Sequence, residues 1–334
     1  MICLRSIDRP KTDRHPYNLT LSTLPKTNTH ISPIHSPPIY PSTHPPIHSM
    51  SRLTKTLTPY LLAAPQTLVF LLFLVFPIVL IFIVSFWQFN GYSMTPAFTT
   101  DNYMAIFTSK VSFLTYLNTF KYVLLVWFFC LAIAFPVAYF LAFCIESQAV
   151  QIALFLICTI PFWTSNIIRM ISWIPLLGKE GLVNQFLINL GVINAPLEFL
   201  LYSDFAIVLA MVHLFTFFMI APIFNSMMRI DRNLIAAARD MGASGFEVLK
   251  EVILPLTAPG IAIGSIFVVT LVMGEFVTVQ LMGGGQSASV GKLIQTQIGS
   301  LQYPLAAANA VILLIVTLIL VAAILRVVDI RKEL

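Results

Sequence analysis

The stretch DRNLIAAARDMGASGFEVLKEVILPLTAP, residues 231–259, is a polar and charged segment between long apolar runs. Asp231 is placed to cap a short helix that continues to Arg239, because an aspartate side chain accepts hydrogen bonds from the free N–H groups of a helix start. Gly242 is placed to end that helix, since glycine adopts the left-handed backbone of a helix terminus without strain. The first half of the stretch therefore predicts a short helix and a glycine turn.

A second short helix is predicted directly after the turn. Ser244 and Glu247 have the spacing of a capping box, in which each side chain bonds the backbone N–H of the other. We expect Pro255 to end this helix. The apolar residues that recur along one face before it are Phe246, Leu249 and Ile253. Residues 231–254 thus predict a helix-glycine-helix element, which on local chemistry alone is either a docking surface or an amphipathic hairpin lying on a bilayer.

The composition of the chain indicates a membrane protein. Hydrophobic residues make up 58% of the 334 residues and charged residues only 10%, and the mean hydropathy is +0.88. A soluble protein of this size needs more surface charge, so a soluble globule is excluded. The net charge of +5 is scattered over tail, loops and C-terminus, which favours anchoring at the cytoplasmic leaflet over binding of nucleic acid.

Residues 1–49 differ in composition from the rest of the chain. They are rich in proline and hold five of the six histidines, and without helical or strand periodicity they cannot bury enough apolar surface to fold. The irregular histidine spacing does not favour a metal site. We predict a disordered extension or a product of start-codon choice, with the functional domain covering residues 50–334.

Six apolar runs are predicted to cross the membrane, because each is long enough to cover about 30 Å of hydrocarbon at about 1.5 Å per residue. The predicted spans are 61–87, 121–145, 150–168, 205–225, 260–281 and 306–328. Six spans place both termini on one side. The predicted fold class is an all-α membrane protein.

The distribution of positive charge predicts the orientation of these spans. Four cations lie between the fourth and fifth spans and three lie at or after the end of the sixth, whereas the loop between the fifth and sixth holds Lys292 alone. Cytoplasmic loops carry the excess of lysine and arginine. The N-terminus, the helix-glycine-helix element and the C-terminus are therefore predicted to be cytoplasmic.

The segment around Gly242, from the alanine run before it to Pro255, carries a family motif. Its members are Ala236, Ala237, Ala238, Asp240, Gly242, Ala243, Phe246 and Pro255. This run resembles the EAA loop of the permease subunits of bacterial ABC importers, with Ala236 at the position of the family's glutamate. The resemblance implies a type I importer fold in which these residues couple the chain to an ATPase subunit.

Two further stretches are similar to permeases of the spermidine/putrescine class and their opine relatives. One is PFWTSNIIRMISWIPLLGKEG, residues 161–181, and the other is GEFV, residues 274–277. As a structural alternative, the first stretch is an interfacial segment, because tryptophan is common at headgroup depth. The resemblance implies that Trp163, Arg169 and Trp173 lie near a translocation path.

Glu275 is the fourth candidate for the translocation path. A carboxylate in an apolar run is costly, so it should face a water-filled path or a partner. It either hydrogen-bonds a loop at the outer rim or lines the path, where its charge would favour a polycationic cargo. Two other polar residues are expected to be structural, with His213 bonding between helices and Lys121 reaching the outer interface.

The sequence predicts no nucleotide site in this chain. Residues 283–292, GGGQSASVGK, are out of register for a phosphate loop, and Leu293 stands where serine or threonine should bind Mg²⁺. Paired catalytic groups and metal clusters are also absent from the sequence pattern, so we predict a transport subunit and no enzyme. ATP and Mg²⁺ are expected on a separate ATPase subunit, and no cofactor on this one.

These features together predict the transmembrane subunit of an ABC importer in the bacterial cytoplasmic membrane. The predicted cargo is a polyamine such as putrescine or spermidine, with opines or another small solute as the alternative. The resemblance implies an ATPase dimer, a second related or identical permease and an extracytoplasmic solute-binding protein as partners, and no nucleic acid. An ion-coupled secondary transporter is the alternative from another class, but it gives no reason for the helix-glycine-helix element.

Overall fold

The computed structural model describes residues 62–327, and the proline- and histidine-rich residues 1–49 lie outside that range. The described part is mostly helical, with one short antiparallel ribbon of β1 (Gln88–Phe89) and β2 (Met94–Thr95). The helices are α1 (Leu62–Val84), α2 (Asp101–Thr108), α3 (Lys110–Cys144), α4 (Gln148–Trp163), α5 (Asn166–Leu177), α6 (Leu182–Asn189), α7 (Asp204–Met228), α8 (Arg232–Asp240), α9 (Gly245–Met273), α10 (Val277–Met282), α11 (Val290–Gly299) and α12 (Tyr303–Val327).

The chain divides into two compact units at residue 77. Of the smaller unit, residues 62–77 are described, and they are helical. The larger unit contains the described residues from 78 onward. All of the candidate functional residues lie in this larger unit.

Five of the helical segments in the described range are long and apolar enough to cross a membrane, and a bent pair supplies a sixth. The bent pair consists of residues 148–163 and 166–189, whose directions differ by 86°. Thr164 and Ser165 between them have extended backbone, which interrupts the helical hydrogen bonds. The predicted span over 150–168 therefore contains a sharp bend at this point.

The core of the larger unit forms where α7 packs between α3 and α9. Small residues let α7 and α9 approach closely, as is common between membrane helices. A Cβ atom on Gly260 would lie 2.5 Å from the carbonyl oxygen of Pro222, and one on Gly264 would lie 2.7 Å from the sulfur of Met219. Glycine is therefore required at 260, where the overlap is with backbone, whereas a side chain at 264 would force the Met219 side chain to move.

The fifth predicted span differs from the structure at both ends. The predicted range is 260–281, whereas α9 begins at Gly245 and ends at Met273, and residues 274–276 separate it from α10. The helix-glycine-helix element and the span that follows it therefore share one helix. The end of the bundle that carries this element is called the loop end below, and the opposite end is called the far end.

Candidate functional site

The first helix of the helix-glycine-helix element has the predicted cap and turn. The Asp231 side chain accepts a hydrogen bond from the backbone N–H of Asn233 at 2.9 Å, at the start of α8. Gly242 has a φ of +92°, and its N–H donates to the Arg239 carbonyl at 2.8 Å. The left-handed backbone reverses the chain in one residue, so that α9 starts only three residues later.

The second helix begins with the predicted capping box but does not end at Pro255. The Ser244 N–H donates to Glu247 Oε2 at 2.6 Å, and the Glu247 N–H donates to Ser244 Oγ at 3.3 Å. The expectation that Pro255 ends the helix is wrong, because α9 continues through it to Met273. A π-helical turn over Leu249–Ile253 ends two residues before the proline, and its wider hydrogen-bond register helps to accommodate a residue without an N–H group.

The turn of the element presents large apolar side chains to the surroundings. Met241 is 83% exposed and Phe246 is 72% exposed. Of the residues assigned to ATPase coupling, Ala236, Ala237, Asp240, Gly242, Phe246 and Pro255 are exposed, Ala243 is half-buried and Ala238 is buried. Ala238 therefore packs inward, and the exposed face around Phe246 is chemically suited to enter a groove of another protein.

The opposite face of the element is fixed to the bundle. Ile235, Val248 and Ile253 are fully buried and belong to the main hydrophobic core. The Arg232 guanidinium also donates to the Ala142 carbonyl at 3.4 Å, at the end of α3. A force on the exposed face would therefore reach α3 as well as α9.

A cavity of about 720 Å³ lies directly beside the element, between α7 and α9. Its polar lining comes from Asn225, Ser226, Arg229 and Asp231, and its apolar lining includes Leu234, Ile263 and Phe267. Because Asp231 and Leu234 also belong to the helix-glycine-helix element, movement of the element would change the shape of this cavity.

Two of the four predicted path residues, Arg169 and Trp173, lie on α5, and Trp173 contacts α7. The Trp173 indole N–H donates to Nδ1 of His213 at 3.1 Å, which confirms the expectation that His213 bonds between helices. Since the indole is only a donor, the imidazole is neutral with its own proton on Nε2. Arg169 is 8% exposed and bonds Asn166, and its Nε has no hydrogen-bond partner among residues 62–327.

The other two predicted path residues lie apart from this group. Trp163 is at the bend and 83% exposed, as expected of an interfacial tryptophan. Glu275 is half-buried at the far end of α9, where its Oε1 accepts the N–H of Thr278 at 2.8 Å and its carbonyl accepts the Ser289 hydroxyl at 2.9 Å. Through the bond from Thr278 its carboxylate caps the start of α10, and in the described part of the chain it makes no hydrogen bond or ion pair with Arg169.

Sequence reasoning did not find Asp204, at the start of α7. Its carboxylate accepts hydrogen bonds from Lys121 Nζ at 2.6 Å, from the Tyr122 hydroxyl at 2.5 Å and from the Ser287 hydroxyl at 2.7 Å. Lys121, predicted from the sequence to reach the outer interface, is therefore ion-paired. Asp204 joins α3, α7 and the loop before α11 at the far end.

Comparison with known proteins identifies the family. No protein-family model matches this chain. PotB of Escherichia coli K12, a spermidine/putrescine transport system permease protein, is 34% identical over 220 residues, which are 66% of this chain and 78% of PotB. The chain belongs to the ABC transporter permease family. Its PotB relative in Haemophilus influenzae is also 34% identical, over 227 residues covering 67% of the permease and 78% of that protein.

Solved structures show the same fold for the permease. A bacterial ABC transporter that imports the acidic polysaccharide alginate matches with a TM-score of 0.67 at 20% identity, over 84% of the permease and 99% of the matched chain. A second structure is of an alginate ABC transporter in complex with a periplasmic protein that carries an alginate pentasaccharide. It matches with a TM-score of 0.65 at 19% identity, over 82% of the permease and 96% of the matched chain. The predicted importer fold is thereby confirmed. The PotB relatives confirm the prediction of a transport subunit of an ABC importer, in preference to an ion-coupled secondary transporter.

Proposed function

We propose that the permease moves polyamines across the bacterial cytoplasmic membrane, with its helix-glycine-helix element and both termini in the cytoplasm. In this proposal the element docks on an ATPase dimer, which binds ATP and Mg²⁺. A second permease, related or identical, completes the path, and an extracytoplasmic solute-binding protein delivers the cargo. The exposed apolar face around Phe246 is the observation that carries the docking role. The other face of the same element is fixed in the core, so a partner bound at Phe246 could move the bundle.

The test of the docking role is co-purification of the ATPase with the permease. Phe246→Ser removes an exposed side chain without opening the core, so the permease should fold while ATPase recovery falls at least tenfold, since large apolar anchors dominate protein interfaces. Phe199→Ser is the matched control, because Phe199 is also exposed and lies before α7, toward the far end. Unchanged recovery with Phe246→Ser would reject the coupling assignment.

Polyamine cargo is supported by the names of the PotB relatives and by the position of Glu275. Among residues 62–327, only one carboxylate oxygen of Glu275 accepts a hydrogen bond, from Thr278, which leaves the other available to an ammonium group. Uptake of radiolabelled putrescine by cells that express the complete system tests this cargo. A system that accumulates no polyamine would reject it.

A second cargo class, opines and similar amines that carry a carboxylate, is favoured by Arg169. A buried guanidinium in a membrane protein usually has an anionic partner, and in residues 62–327 no carboxylate lies within ion-pair distance of Arg169. Competition between labelled putrescine and an unlabelled opine distinguishes the two classes. Under this alternative, Arg169→Gln would abolish opine uptake.

A further inference from the structure

A groove with apolar walls runs along the outside of the larger unit, between α3, α9 and α12. Its volume is about 450 Å³, within the range of small-molecule sites. The wall from α12 is formed by residues spaced i, i+3, i+4 and i+7, which lie on one face of a helix; they are Leu320, Ala323, Ile324 and Val327. Phe120 and Trp127 form the facing wall on α3.

The polar groups in this groove are already paired. The Trp127 indole N–H donates to Ser265 Oγ at 2.8 Å, and the Ser265 hydroxyl donates to the Ile261 carbonyl at 2.7 Å. Water needs two or more polar partners to occupy a cavity stably, and these groups have little remaining capacity. The groove is therefore suited to an apolar occupant.

A positive charge stands where the groove reaches the end of α12. Val327 lines the groove, and its neighbour Arg326 lies in the last turn of α12, is exposed and has no ion-pair partner within residues 62–327. The Tyr116 hydroxyl donates to the Asn309 carbonyl at 3.4 Å, near the starts of α3 and α12. Farther along, Trp127 of α3 and Leu320 of α12 line the same groove, so the two helices run in the same direction. The groove extends from the level of Phe120 toward the charged end of α12.

We propose that the groove binds an acyl chain of an anionic phospholipid whose phosphate binds Arg326. The groove places apolar walls next to the charge of Arg326, and a phospholipid likewise has an apolar chain next to a charged headgroup. Lipid chains are as apolar as leucine, so hydrophobicity alone does not select an occupant inside a membrane. The charge of Arg326 provides the selection, and one arginine near the surface favours anionic over zwitterionic lipid about fivefold.

Trp127 is a reporter for this site, because bromine atoms on lipid chains quench nearby tryptophan fluorescence. The permease, purified with the subunits that accompany it, is placed in vesicles containing brominated phosphatidylglycerol or brominated phosphatidylcholine. The difference between this protein and its Trp127→Phe variant isolates the signal from the groove. We expect both lipids to quench Trp127, with phosphatidylglycerol effective at a mole fraction about fivefold lower.

Three variants separate the contribution of the arginine charge from that of the apolar groove. Arg326→Gln should remove the preference for phosphatidylglycerol, whereas Lys110→Gln, an exposed cation at the other end of α3, should leave it unchanged. Ala323→Phe fills the groove and should reduce quenching by both lipids; if it does not fold, the surface change Arg326→Gln still decides.

Absence of quenching by either lipid would mean that another protein covers the groove, and equal quenching by both lipids in the unmodified permease would mean that Arg326 selects no headgroup. Either result would overturn the proposal.

Discussion

Trp173 on α5 donates its indole N–H to Nδ1 of His213 on α7 at 3.1 Å, and the two rings meet edge to face with centroids 5.6 Å apart. The contact follows the 86° bend of the third predicted span. It therefore attaches the bent segment to the central helix of the bundle by a directional bond as well as by packing.

Trp173→Phe should lower the free energy of unfolding by about 1 kcal/mol, because it keeps an aromatic ring but removes one hydrogen bond. Thermal unfolding of the purified permease measures the effect. Trp163→Phe is the matched control, since Trp163 is exposed and makes no hydrogen bond through its side chain within residues 62–327. Equal melting temperatures for the two variants would show that the Trp173 bond contributes nothing.

Gly242→Ala should destabilise the helix-glycine-helix element by about 1–2 kcal/mol, because a side chain is strained in the left-handed backbone region. Space is not the cause, since a Cβ atom on Gly242 would meet nothing within 4 Å. Gly299 also has open space around it but lacks the positive φ, so Gly299→Ala should be neutral or slightly stabilising. Hydrogen exchange of residues 231–254 measures the local loss, and the same rates in both variants would contradict the role of φ.

Asp204→Asn breaks the ion pair with Lys121, whose two side chains are about half exposed to solvent. It should lower the free energy of unfolding by about 1 kcal/mol, which is near the upper end of the range for exposed ion pairs. The value is not smaller because Tyr122 and Ser287 also donate to this carboxylate. The exposed pair of Lys179 and Glu198 is the control, and Glu198→Gln should have no measurable effect. Thermal unfolding in detergent compares Asp204→Asn with Glu198→Gln. Equal melting temperatures for the two variants would show that the hydrogen bonds from Tyr122 and Ser287 add no stability.

Glu275→Gln distinguishes the capping role of the Glu275 side chain from the effect of its negative charge. Glutamine can still accept the Thr278 N–H, so stability should stay within about 0.5 kcal/mol. If the carboxylate attracts a polycationic cargo, loss of about 1 kcal/mol of Coulomb energy should slow putrescine uptake about fivefold. Glu198→Gln again serves as the control for charge, and uptake that is unchanged by Glu275→Gln would leave the residue with its capping role alone.

The local features of the helix-glycine-helix element could be predicted from sequence, because caps and left-handed turns depend on residues only two or three positions apart. Ser244, Glu247 and Gly242 all have the geometry that their types favour. The prediction for Pro255 was wrong, since the rule that proline ends a helix does not include the π-helical turn before it. The 86° bend was also not predicted, because the span over 150–168 was assigned through the polar residues Thr164 and Ser165, which interrupt the apolar run there.

Asp204 was missed for a different reason. An acidic residue at the start of a helix is an ordinary local feature, and nothing in the neighbouring sequence indicates a network. Its partners Tyr122 and Ser287 are 82 and 83 positions away, so the cluster exists only after α3 and α7 have packed. The pairing of Trp173 with His213, 40 positions apart, is hidden in the sequence for the same reason.

The continuity of α9 through Pro255 makes the helix-glycine-helix element one end of a lever. Its 29 residues extend about 44 Å at about 1.5 Å per residue, from the capping box at Ser244 to the residues just before Glu275. A tilt applied at one end moves the other by a proportionate distance, and the tight contacts at Gly260 and Gly264 are placed to act as the fulcrum. The π-helical turn between Leu249 and Ile253 lies on the longer arm, where twisting would absorb part of an applied rotation before it reached the fulcrum.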